Sequence, residues 1–187
     1  MNDALASTPE LAMQAQSTAR AGQKPGAVAV FIFVTLAVLA ADQILKYVAF
    51  ATIAGDREIT LIPHVLSLKL ITNTGAVFGL GKGFRWVFIV VSFIAIPIIA
   101  RIFWRSPARA RGLHLALALI LAGALGNLYD RILFSAVRDM LWLFPSTGMW
   151  PWIFNLADAA LMAGVAGILL LSLLSELRRP ALRSTRG

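Results

Sequence analysis

Four long apolar runs, at residues 27–50, 85–103, 114–133 and about 152–174, constrain this chain more than any other feature. Each is close to the roughly 20 residues that cross a bilayer core as a helix. Inside lipid the backbone must satisfy its own polar groups, so helices are the form such runs take. With 187 residues, 59% hydrophobic content and a mean hydropathy of +0.79, the chain reads as one compact integral membrane unit. Pro97, inside the second run, predicts a kink whose freed carbonyl a neighbouring helix can satisfy.

The charges lie at the ends of these runs. Arg101, Arg105, Arg109 and Arg111 fill the loop between the second and third, and Arg178, Arg179, Arg183 and Arg186 close the chain. The positive-inside rule puts both basic segments in the cytoplasm, which fits four spans with both termini inside. The net charge of +8 is therefore a topology signal, and no nucleic-acid partner is expected, because the arginines form no basic face with interleaved aromatics. Residues 1–26, polar and without apolar periodicity, predict a disordered cytoplasmic tail, and 178–187 a basic one. Val38-Leu39-Ala40 resembles a leader-peptide cleavage site, but the apolar run resumes beyond Lys46 and the leader would be unusually long, which favours a span. Zero cysteines exclude disulfides and thiolate sites, and two histidines, His64 and His114, leave little for zinc, so no metal or cofactor is expected.

Given that topology, the unusual polar residues converge on the outer interface. Asp42 and Lys46 come late in the first span, and Asn73 lies in the first outer connector, about 51–84. In that connector Leu66, Leu68 and Leu70 alternate with Ser67 and Lys69, a period-two signal for a strand. Gly123, Asn127 and Arg131 fall four residues apart and share one face of the third span. Asp139 lies in the second outer connector, about 134–151, and Asn155 and Asp158 open the fourth span behind the expected interfacial anchors Trp142, Trp150 and Trp152. Counted from Trp152, Asp158 is six residues deep, about 9 Å along a helix. A charge at mid-span costs roughly 2.5 to 3.5 kcal/mol on insertion scales, so an acid placed there is a functional hypothesis by default.

Two aspartates at one depth, without a Ser, Cys or His nucleophile arrangement, point to a carboxyl pair that shares a proton and activates water for amide hydrolysis. Three other classes compete. A proton-coupled transporter predicts polar groups through both leaflets and often an inverted repeat, neither of which is present. A structural scaffold needs no clustered acids. A prepilin-type aspartyl peptidase shares the chemistry but cuts from the cytoplasmic side. Singly, several of these residues have plainer readings: Asp42 and Lys46 as an interfacial ion pair, Asp130-Arg131 as a span end with a snorkelling arginine, Asp139 as a solvated loop acid.

Gly126-Asn127-Leu128-Tyr129-Asp130-Arg131, Asp139 and Phe154-Asn155-Leu156-Ala157-Asp158, with Asp42-Gln43-Ile44-Leu45-Lys46 and Asn73-Thr74-Gly75-Ala76-Val77-Phe78 upstream, resemble the motifs of the bacterial lipoprotein signal peptidases. The resemblance spans roughly residues 41–165. It implies an all-α polytopic membrane fold of four transmembrane helices, within 27–177, plus a small β-sheet and a short helix in the first outer connector. It also implies an aspartyl endopeptidase of the bacterial inner membrane that removes the signal peptide of diacylglyceryl-modified prolipoproteins, cutting just before the lipidated cysteine. By resemblance Asp139 and Asp158 are catalytic, while Asn127, Arg131 and Asn155 orient the pair and bind the substrate backbone, and Asp42, Lys46, Asn73 and Gly123 support the site. Prolipoprotein and membrane lipid are the implied partners, and a monomer is expected. One residue departs from the family pattern: Arg138 stands before the first aspartate where an apolar residue is usual, and is expected to lower the pair's pKa or to contact lipid phosphate.

Overall fold

A computed structural model describes residues 25–75, 84–147 and 149–178. Its elements are helix α1 (Pro25–Thr52), strands β1 (Glu58–Ile62) and β2 (Leu66–Asn73), helices α2 (Arg85–Arg105) and α3 (Arg111–Phe134), strands β3 (Val137–Leu143) and β4 (Ile153–Phe154), and helix α4 (Leu156–Leu177). All four helices are long and apolar enough to cross a membrane. They turn large side chains such as Phe33, Trp86 and Leu169 outward, as a surface facing lipid requires. Residues 1–24 and 179–187, which hold most of the two expected tails, lie outside the described residues.

Helix α3 is the centre of the bundle and packs against each of the other three. Its contact with α4 depends on small residues that let two backbones approach. A Cβ at Gly164 would lie 2.6 Å from the Ala116 carbonyl oxygen, and one at Gly123 would collide with the Ala157 carbonyl and come within 2.9 Å of the Leu161 Cβ. Gly123 therefore lets α3 approach the first turns of α4, around Ala157 and Leu161. Gly123→Leu should destabilise the fold by about 1 to 3 kcal/mol or more, as overpacked contacts do. A lowered thermal midpoint in detergent is the expected readout, and an unchanged one would show that the helices slide apart freely. At the arginine-rich end the core is apolar: Phe31 stacks on Phe103 at 4.0 Å between centroids, over Ile99, Leu117 and Ala118.

At the opposite end sits an antiparallel sheet in the order β1-β2-β3-β4. The alternation at 66–70 does form a strand, but the sheet is built from both connectors, not from the first alone. β3 supplies a central strand because Met140 packs on Ala49 and Ile53, seating the sheet on the end of α1. The short helix expected in the first connector is not found among its described residues, and 76–83 lie outside them. The fourth span also differs from its predicted limits. Ile153 and Phe154 pair with Trp142 and Leu141, so the chain is still extended there and α4 begins at Leu156. Trp142 and Trp150 are tied together by an indole N–H to carbonyl bond of 3.1 Å, within the second connector.

Candidate active site

The start of α4 determines what Asp158 does. It is the third residue of the helix, not the seventh, and forms a capping box with the N-cap residue Asn155. The Asp158 N–H donates to the Asn155 side-chain oxygen at 2.8 Å, and the Asn155 N–H donates to Asp158 Oδ2 at 3.4 Å. Reciprocal caps of this kind satisfy the free donors of a first turn. A third donor, the Ala157 N–H, goes to Asp42 Oδ1 on α1 at 2.9 Å.

The same asparagine reaches the second acid. Asn155 Nδ2 donates to Asp139 Oδ1 at 2.6 Å and to Asn127 Oδ1 at 3.2 Å, while Asn127 Nδ2 donates to Asp158 Oδ1 at 2.7 Å. Asn73 Nδ2 donates to the other Asp139 oxygen at 3.1 Å, and its own carbonyl oxygen accepts from the Gly75 N–H at 2.9 Å. Arg131 donates to the Gly75 carbonyl at 2.8 Å and to the Asn127 carbonyl at 3.3 Å, with its guanidinium over the Phe88 ring of α2. Asp139, Asp158 and Asn155 are all buried. Residues from β2, α3, β3 and α4 thus place both carboxyls in one network of amide donors.

Burial is the main reason that the Asp139 carboxyl, on β3, is pushed up to about 7, and the charge of Asp158 adds to it. Hydrogen bonds from Asn73 and Asn155 and the charge of Lys46 act in the other direction. Asp139 therefore binds more protons folded than unfolded between about pH 4 and pH 7, and the stability this supplies is lost as pH rises through about 7. The thermal midpoint should fall from about pH 4 to about pH 7 and level off above it, and this slope should flatten in Asp139→Asn.

Behind the pair lies a cluster that sequence reasoning caught only in part. Lys46 Nζ is 2.8 Å from Asp42 and 3.2 Å from Asp130, and all three are fully buried. The pair at 42 and 46 is thus an internal charge site, unlike an interfacial ion pair. Arg138 Nη2 meets Asp130 Oδ1 at 2.8 Å and Gln43 Oε1 at 2.8 Å, so the guanidinium is committed inside the protein and not to lipid phosphate. Asp130 and Gln43 were not among the expected site residues. The i, i+4 spacing of Asp42 and Lys46, with Asp130 beside Arg131, was the available signal. Among the described residues no group of three or more His, Cys, Asp or Glu is arranged to hold a metal ion.

Known proteins are similar to this chain in sequence and in fold. The family described as Signal peptidase (SPase) II matches residues 34–174. A protein named lipoprotein signal peptidase from Shouchella clausii (strain KSM-K16) is 39% identical over 153 residues, covering 82% of this chain and 97% of its own. One of the same name from Latilactobacillus sakei subsp. sakei (strain 23K) is 36% identical over 150 residues, covering 78% and 95%. A bacterial membrane enzyme solved by the in meso method at 2.3 Å resolution superposes with a TM-score of 0.76 at 28% identity, covering 85% of this chain and 96% of that one.

Proposed function

This chain belongs to the signal peptidase II family, and we propose that within it Asp139 and Asp158 form the water-activating pair of a prolipoprotein signal peptidase. The enzyme is an aspartic-type signal peptidase and a multi-pass membrane protein. The observation that carries the dyad reading is Asn155: one side chain caps Asp158 and donates to Asp139, so the two carboxyls are held as a unit.

In the singly protonated pair, the carboxylate takes a proton from water as its oxygen attacks the scissile carbonyl, and the carboxylic acid protonates the carbonyl oxygen. Collapse of the tetrahedral diol breaks the C–N bond: the protonated carboxyl of the pair gives its proton to the leaving nitrogen, and the other carboxylate takes one from a diol hydroxyl, which restores the singly protonated pair. The products are the carboxyl terminus of the signal peptide and the free amine of the lipidated cysteine. Asn127, Asn155 and Asn73 hold the carboxyls, and Arg131 fixes the Gly75 backbone beside them. Since Asp139 is pushed up to about 7, the pair loses its shared proton above that pH, and cleavage should decline on the alkaline side.

All of these groups lie at the end of the bundle away from the arginine-rich loop at 105–111, which supports a site at the outer leaflet with both termini in the cytoplasm. Substrate would then arrive laterally, its acyl chains remaining in the bilayer and its signal helix lying against α1, α3 and α4. Crosslinkers at the arginine-rich ends of the spans should miss the cleavage site. The decisive assay incubates purified protein with a diacylglyceryl-modified prolipoprotein and with its unmodified form, with and without EDTA. Mass spectrometry should find one cut, just before the modified cysteine, insensitive to EDTA. A cut elsewhere, or equal cleavage of the unmodified form, would overturn the substrate assignment.

A further inference from the structure

We propose that Arg138 is a positioning residue for Asp139: it fixes the strand that bears this carboxyl and balances the buried charge cluster behind it. The inference rests on the dyad reading above. Arg138 and Asp139 are consecutive on β3 and so point to opposite faces of the sheet. On its face Arg138 is held through its backbone N–H, Nε and Nη2. Its backbone N–H donates to Asp130 Oδ2 at 2.9 Å, Nε to the same oxygen at 3.3 Å, and Nη2 to Asp130 Oδ1 and Gln43 Oε1, both at 2.8 Å. The guanidinium also lies 4.2 Å from the centre of the Phe134 ring. The peptide that delivers Asp139 is thereby tied to α3, the helix that carries Asn127, and to α1.

Charge balance is the second link. Asp42 and Lys46 on α1, Asp130 on α3 and Arg138 on β3 sum to zero in a closed volume. The charged groups that act on Asp139 from the surrounding elements are Lys46 of this cluster on α1, Arg131 on α3 and Asp158 on α4, while Lys69 on β2 lies over Trp142 instead. A fork-shaped cation can engage both oxygens of Asp130, which a lysine cannot do. Without the guanidinium charge, Lys46 must serve two acids and the cluster carries one net negative charge beside the pair. Asp139 then keeps its proton to higher pH.

The test is the pH dependence of cleavage of a diacylglyceryl-modified prolipoprotein by wild type, R138M, R138K, D130N and the double variant D130N/R138M, in the same lipid. R138M should move the alkaline limb up by about half a pH unit or more. R138K should leave the limb in place but lower kcat, because charge is kept and the fork is lost. D130N, with one net positive charge, should move the limb down, and the double variant, neutral again, should return it to the wild-type position. Superimposable limbs in R138M and wild type, or in D130N and wild type should R138M not accumulate, would overturn the proposal, as would a double variant that stays displaced. Loss of the dyad reading would look different: Asp139→Asn would still cleave.

Discussion

Asp139→Asn and Asp158→Asn should each lower cleavage of a diacylglyceryl-modified prolipoprotein by on the order of 10⁴-fold or more while leaving a folded, membrane-embedded protein. The size of the loss follows from the chemistry. Each substitution removes a group that transfers a proton in the transition state, and one carboxyl alone supplies a base or an acid but not both. The fold should survive because asparagine keeps the shape and one acceptor oxygen. At position 139 that oxygen can meet either Asn155 or Asn73, which donate at 2.6 and 3.1 Å, and the bond from the other amide is lost. Such a loss costs about 1 to 3 kcal/mol. Removing a buried ionisable group offsets part of it. Cleavage and thermal unfolding measured on the same preparations separate the two effects. A variant that keeps a tenth or more of wild-type turnover would end the dyad reading.

How much of this was legible beforehand depended on whether a feature leaves a local mark. The four spans do, since each is a run of apolar residues whose period and length are set by the bilayer. Residues that share one face, such as Asn127 and Arg131, also do, because helical spacing alone puts them together. The start of α4 does not follow from hydropathy, because Trp152, Ile153 and Phe154 are as apolar as the helix they precede. What stops the helix there is the pairing of Ile153 and Phe154 with Trp142 and Leu141 in β3. The Asn155 to Asp158 capping spacing was a local signal for that boundary. That spacing places Asp158 in the first turn of the helix. The sheet shared by both connectors and the tie between Arg138 and Asp130 join segments that are distant or opposite in direction, and no periodicity encodes them.

Lys46→Met should leave little or no folded protein, a larger structural effect than any substitution at the pair itself. Lys46 is fully buried and is the cation nearest Asp42, at 2.8 Å, while Asp130 keeps Arg138 as a second partner. Methionine fills the space of the lysine stem but leaves one carboxylate unbalanced in a closed site. Breaking a buried pair in this way costs about 3 to 5 kcal/mol, comparable with the whole stability of many domains. If uncompensated charge is the cause, removing it should restore the protein. Lys46→Met with Asp42→Asn takes away both charges and keeps a side-chain oxygen to accept from the Ala157 N–H, so most of the folded yield should return. Thermal unfolding by size-exclusion chromatography of the single and double variants gives the comparison directly. A single variant as stable as wild type would show that the cluster is not held together by its charges, and the tie between α1 and the start of α4 would then rest on packing and on Asp42's bond to the Ala157 N–H alone.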